Sequence, residues 1–455
     1  MNRTLREFAQ SIGGTLIGAD RNYSGVSTDT RTLKPGELFV ALRGPRFNAN
    51  DFIAAAETAG AAAAVVDMRV DRPLAQVLVG DTQEALTRSS AAWRAQFDLP
   101  VVGVAGSNGK TTVKEMTAVI LARAGATLAT RGSLNNHIGV PLTLHRLEAS
   151  HRFAVIEIGA NHPGEVAALC KLARPTVGLI TNAGAEHLEG FGSIEGAARA
   201  EGEMIADLDA AHTAIINADD EFAPLWRGMT RARIVTFGIK GPADFSASDI
   251  HTAIDGTGFV TRFKLLSPLG TTQIELHLAG QHNVSNALCA AAAACAAGAS
   301  LDDVRLGLAT MRPVAGRLQF KTAPSGAWIV DDSYNANPSS MKAGIEVLAN
   351  VDARRWLVMG DMGELGDHGL ESHQDIGRFA RNHRIDRLFA TGKLSALAVE
   401  AFGSGGEWFS DTEAMARAVN AELTREVCVL VKGSRSNRLE RVVEALTGSG
   451  ASHGH

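Results

Sequence analysis

A lysine and two threonines close a glycine-rich turn, Gly106-Ser107-Asn108-Gly109-Lys110-Thr111-Thr112. Glycines let the backbone N–H groups approach an anion closely, so such a turn can surround phosphate oxygens. Lys110 can then reach terminal phosphates, and the Thr111 hydroxyl can hold a magnesium ion. The strict pattern GxxxxGK[ST] wants glycine where this chain has Val104. A ligand-free turn with an exposed lysine is the competing reading. It is weakened by the apolar run before the turn and the helical run after it. Glu157 ends the run Phe153-Ala-Val-Ile-Glu157, where a carboxylate beside a phosphate loop can bind the nucleotide's metal or merely end a strand. His187 follows another apolar run, and its imidazole can ligate a metal or simply hydrogen-bond within its loop. His282, Asn283 and Asn286 open an Ala-rich helix, where they can contact base or ribose, although capping explains one Asn equally well. Gly316-Arg317, Asp331-Asp332-Ser-Tyr334-Asn335-Ala-Asn337-Pro338 and Lys432-Gly-Ser434-Arg435 set polar groups beside apolar runs, as ligand-facing loops or as plain capped turns.

These residues need strands and helices to hold them. Val101–Ala105, Phe153–Ile158, Val177–Thr181, Ala214–Asn217 and Ile234–Phe237 are apolar on both faces, as in a parallel sheet covered by helices. Val113–Ala124 reads as the helix after the phosphate loop. Asp244–Leu278 alternates like antiparallel hairpins turning at Asp255-Gly256, and Asn286–Ala297 reads as a buried helix. Upstream, Glu37–Leu42, Ala63–Val66 and Gln76–Val79 are strand-like and Asp51–Ala59 is helical. Downstream, Trp328–Asp331, Trp356–Met359, Arg387–Ala390 and Val427–Val431 alternate with helical segments. Breaks near Asp98-Leu99-Pro100 and near Pro313 give three expected domains, 1–98, 99–312 and 313–455, the last with a mobile Gly/Ser/His tail from Gly448.

At 455 residues the chain is too long for one ordinary domain. With 45% hydrophobic and 20% charged residues it is globular, and 44 basic against 49 acidic residues offer no excess positive charge for a nucleic acid. No apolar tract is long enough to span a bilayer, and the first residues do not read as a signal peptide. Cys170, Cys289, Cys295 and Cys428 form no CxxC pair and read as reduced, buried thiols of a cytoplasmic protein. Phosphate handling alone leaves several classes open: an ATPase doing conformational work, a non-catalytic nucleotide-binding scaffold, or a multisubstrate transferase or ligase. Basic residues from the last domain facing the loop favour a site assembled by closure, hence the transferase or ligase.

Taken together, Thr28-Asp-Thr-Arg31, the phosphate loop, 133–141 (SLNNHIGVP), 159–165 (GANHPGE), 185–191 (AEHLEGF), 332–338 (DSYNANP) and 432–436 (KGSRS) resemble the Mur ligase family, ATP-dependent amide-forming enzymes of peptidoglycan assembly. The resemblance spans essentially the folded length. It implies an α/β architecture of three domains: an N-terminal UDP-sugar-binding domain, a central P-loop ATPase domain with a parallel sheet, and a C-terminal Rossmann-like domain. It further implies ATP and Mg²⁺ as cofactors, with UDP-N-acetylmuramoyl-tripeptide and D-alanyl-D-alanine as small-molecule substrates. Another Mur-type ligase adding a single amino acid is the alternative. A monomer is expected.

By the same resemblance, Ser27, Thr28, Asp29, Arg31, Gly44, Phe47 and Asn48 serve the UDP end, and Asn135 and Asn136 position the acceptor peptide. Tyr334, Asn335 and Asn337 serve the dipeptide side, and Lys432, Ser434 and Arg435 come over the site from the last domain. Gly106 to Thr112 with His282, Asn283, Asn286, Arg317 and Asp332 hold ATP, Asp332 near its ribose. Thr111 and Glu157 hold one metal, and Glu157 with His187 a second. Many family members carry a carboxylated lysine on the helix after that histidine. Counting from His187, this chain has Glu201 there, which is expected to supply the negative charge directly. Lys110, Glu157, His187 and Glu201 form the expected catalytic set.

Overall fold

The structure, a computed structural model, describes residues 3–44, 47–185, 188–254 and 258–449. His187 and the Asp255-Gly256 turn lie outside them, as does the tail beyond Ser449.

Among the described residues, sheets of five, six and six strands with helices follow one another in sequence order, with a two-stranded hairpin in the first unit and a three-stranded antiparallel sheet inserted into the middle one. The first sheet orders its strands Thr15–Ile17, Gln76–Leu78, Ala63–Val66, Leu38–Val40, Val26–Ser27, antiparallel only at the first pair. The expected helix at Asp51–Ala59 starts as a 3₁₀ turn, Ala49–Phe52, and becomes α-helical over Ile53–Thr58.

The central sheet is parallel throughout: Arg233–Phe237, Thr213–Asn217, Val177–Ile180, Val101–Ala105, Phe153–Glu157, Thr127–Ala129. The chain lays strands to one side of Val101–Ala105, then crosses to the other, which makes this strand the topological switch point. Its carboxyl end is where open α/β sheets bind ligands. Both faces are covered, so all five residues of Val101–Ala105 and of Phe153–Glu157 are buried, including the charged Glu157. The Ala-rich helix Gln281–Ala296 packs on the phosphate-loop helix Lys110–Ala124. Small side chains permit that closeness. Helix Leu301–Thr310 presses in similarly: a Cβ on Gly307 would stand 2.7 Å from the Ile120 Cα. Strands Ser246–Ile254, Phe259–Ser267 and Gly270–Leu276 form the expected antiparallel hairpins.

The last sheet runs Gln319–Thr322, Trp328–Asp332, Val427–Lys432, Arg354–Met359, Arg387–Thr391, Gly406–Phe409, parallel except for its first strand. All four cysteines are free; Cys170, Cys289 and Cys428 are buried as expected, but Cys295 is only half-buried. Among the described residues no helix is long and apolar enough to cross a membrane.

The first unit is sewn to the middle one by Arg3, whose guanidinium donates to the carbonyls of His145 and Leu147 and lies 3.8 Å over the Trp93 ring. His145 itself is fully enclosed. Its Nε2 is 3.0 Å from Ser89 Oγ, whose own proton is directed to the Leu86 carbonyl. Nδ1 is buried without a hydrogen-bond partner. Burial, reinforced by Arg3, depresses the His145 pKa from 6.5 to about 3. Above pH 6.5 both folded and unfolded forms are neutral and the residue contributes no pH dependence. As pH falls below 6.5, the unfolded chain gains a proton that the native site refuses. Stability then drops by about 1.4 kcal/mol per pH unit until the native pKa is reached. Denaturant titrations of wild type and His145→Leu at pH 7 and pH 5 should show the wild type losing about 2 kcal/mol more than the variant; equal losses would refute the assignment.

Candidate active site at the phosphate loop

Gly106 leaves the central strand at φ +124°, and a Cβ there would meet Thr181 Oγ1 at 2.1 Å. The loop then lies on the neighbouring strand's end. The Thr181 hydroxyl and the Asn182 amide group donate to the Asn108 carbonyl, Asn182 Oδ1 accepts the Asn108 amide at 3.0 Å, and Ser107 Oγ accepts the Gly184 amide. Thr181 and Asn182 thus shape the loop, a role the sequence reading passed over. Gly109, at φ +85°, begins the helix, and its α-carbon faces Asn286, whose Oδ1 would be 2.5 Å from any Cβ. Lys110 Nζ bonds back to the carbonyls of Gly106 and Ser107, bracing the loop.

Beside the loop, Glu157 is 1% exposed. Its Oε1 accepts the Thr111 hydroxyl at 3.2 Å and the Asn135 side-chain amide at 2.9 Å. Its Oε2 is buried with no hydrogen-bond partner, as expected of a ligand atom oriented for a cation. Arg317 closes the group from the third unit: Nη2 donates to Thr111 Oγ1 at 3.2 Å, and the guanidinium lies 4.5 Å from the Tyr334 ring centroid. Asn337 Nδ2 donates to Asn108 Oδ1 at 2.7 Å while its Oδ1 caps helix Pro338–Ala349.

These groups line one cavity of about 850 Å³. It collects Ser107 to Thr112, Asn135, Asn136, Glu157, His282, Asn283, Asn286, Arg317, Asp332, Tyr334, Asn335, Asn337 and Lys432. Asn283 donates to the Ala279 carbonyl and to His282 Nε2, and Asn286 donates to Asn283 Oδ1, a polar ladder along the helix start. Burial, with Lys432 nearby, lowers the His282 pKa to about 4, so the ring is neutral at pH 7. Asn136 Oδ1 accepts the amides of Ile138 and Gly139 in the turn that leads into the helix Gly139–Leu144. Asp332 is more committed than the sequence implied: Oδ2 meets Lys432 Nζ at 2.6 Å and Oδ1 takes the Leu318 amide. Burial pushes its pKa upward against the pull of Lys432 and Arg317.

Other expected residues stand elsewhere. Glu201 does not line the cavity. Buried behind the loop, it accepts the Gly106 amide at 2.7 Å and so supports the phosphate-loop backbone. Ser434 donates to the Asp361 carbonyl, and Arg435 is exposed, 5.8 Å from the Tyr334 ring. Ser27, Thr28, Asp29, Arg31, Gly44, Phe47 and Asn48 lie in the first unit, away from the cavity lining. There Asp29 pairs with Arg31 at 2.6 Å, Gly44 pairs with Phe47 in a hairpin, and Asn48 caps a 3₁₀ turn. Among the described residues, no cluster of three His, Cys, Asp or Glu forms a metal cage. One carboxylate and one hydroxyl suit Mg²⁺, which keeps waters and phosphate oxygens as its other ligands.

Comparison with known proteins gives this geometry a lineage. Residues 104–294 match the Mur ligase middle domain, and residues 316–435 match the Mur ligase, glutamate ligase domain. The chain is 43% identical to the UDP-N-acetylmuramoyl-tripeptide–D-alanyl-D-alanine ligase of Escherichia coli, over 98% of this chain and 99% of that one. The chain belongs to the Mur ligase family. Among solved Mur ligase structures, MurF from Acinetobacter baumannii superposes with a TM-score of 0.91 at 35% identity, covering 98% of this chain and 99% of that one. MurF from Thermotoga maritima in complex with ADP superposes at 0.80 with 27% identity, covering 93% and 97%. The switch-point phosphate loop and the C-terminal sheet facing it are therefore the Mur ligase arrangement in this chain too.

Proposed function

We propose that this Mur ligase joins D-alanyl-D-alanine to UDP-N-acetylmuramoyl-tripeptide, forming the pentapeptide precursor with release of ADP and phosphate. One observation carries the reading: a phosphate loop and the buried Glu157, whose Oε2 takes no hydrogen bond, share a cavity with basic and amide groups from the third unit. Full-length similarity to ligases of that name supplies the substrates.

A carboxylate is a poor acyl donor at neutral pH, so it must first be activated. A carboxylate oxygen of the tripeptide attacks the γ-phosphorus of ATP, giving an acyl phosphate and ADP. The dipeptide amine then attacks the carbonyl carbon; the tetrahedral intermediate expels phosphate with its electron pair, and the nitrogen loses a proton. Both steps gather negative charge, which preorganised donors stabilise. The amides from Ser107 to Thr112 hold the phosphates, and Lys110, released from the loop carbonyls, meets the transferring group. Thr111 and Glu157 would hold Mg²⁺, which when bound screens phosphate charge. His187 as a second ligand, and Glu201 as its charge partner, remain part of the proposal. Asn135 and Asn136 sit on the acyl-donor side, and Tyr334, Asn335 and Asn337 on the amine side. A monomer acting in the cytoplasm is part of the same proposal.

Phosphate release is expected to require all three substrates. In a coupled phosphate assay with UDP-N-acetylmuramoyl-tripeptide, leaving out D-alanyl-D-alanine should abolish steady turnover. Undiminished release without the dipeptide would overturn the assignment in favour of an ATPase, and turnover with a single amino acid in its place would favour another Mur-type ligase.

A further inference from the structure

Lys114 lies one turn beyond Lys110 on the phosphate-loop helix and is among the largest side chains with no exposure. A buried ammonium is expensive unless its charge and its three N–H groups are met. Here they are met: Nζ donates to the Thr130 carbonyl at 2.8 Å and the Gly132 carbonyl at 3.2 Å, and pairs with Glu115 Oε1 at 2.8 Å. Glu157 Oε2 stands 3.8 Å away. The turn that Lys114 grips is also bound to Glu157, because Thr130 Oγ1 accepts the Glu157 amide at 3.0 Å. That turn leads directly into Ser133, Asn135 and Asn136 on the cavity wall. Asn135 in turn holds Glu157 Oε1 through its side chain and the Gly159 amide through its carbonyl.

We propose that Lys114 is a positioning residue for the acyl donor: its ammonium ties the 130–132 turn to the phosphate-loop helix and so fixes the Asn135–Asn136 wall relative to Thr111 and Glu157. The proposal rests on the function given above. Two reacting groups held by separate segments need a fixed distance, and a displacement of about 1 Å can lower a rate about 100-fold. The phosphate loop itself is bonded to Thr181, Asn182 and Glu201, so ATP binding does not depend on this tie.

The test uses Lys114→Met, which keeps the length of the side chain and removes its donors, and Lys114→Gln, which restores neutral donors. Calorimetry on the full-length protein would measure a non-hydrolysable ATP analogue and UDP-N-acetylmuramoyl-tripeptide separately, with kcat and KM alongside. The Met variant should bind the ATP analogue within about twofold of wild type, while the sugar nucleotide weakens about tenfold and its KM rises in step. The Gln variant should recover most of that loss. Equal weakening toward both ligands, or failure of the Met variant to fold while Gln behaves like Met, would reduce Lys114 to a packing residue and overturn the proposal. Unchanged sugar-nucleotide affinity would overturn it as well. A wild-type protein that does not bind the sugar nucleotide would instead overturn the function on which the proposal rests.

Discussion

Glu157→Gln is expected to lower kcat/KM at least about 10³-fold with the fold intact. The substitution keeps the volume of a side chain that is 1% exposed, so the sheet around it should not collapse. What changes is charge. In the native chain Oε1 already accepts from Thr111 and Asn135, and Oε2 is buried without a hydrogen bond. An amide offers one oxygen instead of two and, with that oxygen kept on Thr111 and Asn135, points an N–H₂ toward the Lys114 ammonium, which can only donate. The variant also deprives Lys114 of a carboxylate 3.8 Å away. Steady-state kinetics across a magnesium titration, with thermal unfolding as a control, would check this. Retention of more than a tenth of wild-type kcat/KM would mean that the metal is held elsewhere.

Gly109→Ala should raise the KM for ATP about 100-fold while leaving sugar-nucleotide binding near wild type. Two faults combine. At φ +85° an alanine is strained by about 1 kcal/mol, and its Cβ would lie 2.5 Å from Asn286 Oδ1. Relief requires Asn286 to turn away, breaking its bond to Asn283 and the ladder to His282. Gly164→Ala separates the two effects, since Gly164 has φ +87° and ψ −16°, close to Gly109's +85° and −8°, with nothing within 4 Å of the added carbon. That control should lose a little stability and no ATP affinity. If both variants had the same KM for ATP, steric pressure on Asn286 would be excluded as the cause.

The central strands were legible because their residues are apolar on both faces: Val101–Ala105 and Ala63–Val66 occur with the expected bounds. Short edge strands were not. Thr127–Ala129 has three residues, Gln319–Thr322 is polar and only partly buried, and Gly406–Phe409 carries Trp408 into solvent. Their pairing is set by the neighbouring strand rather than by their own pattern. The loop, Glu157 and the amide-rich segments could be recognised from residue type and spacing, and the cavity gathers them. Lys114 could not, because Lys-Glu in a helix ordinarily means a solvated face; only the sheet packed against that face reveals a buried cation. Glu201 shows the converse limit. Counting singled the residue out, but its bond to the Gly106 amide, which supports the loop from behind, comes from the fold alone.

The contact from Asn337 to Asn108 makes one side chain both the cap of a C-terminal helix and a brace on the phosphate loop. Moving the third unit away from the loop would break that brace, so the loop's conformation and the docking of the C-terminal helix are energetically linked. By linkage, a change that stabilises this loop conformation favours the docked helix by the same factor.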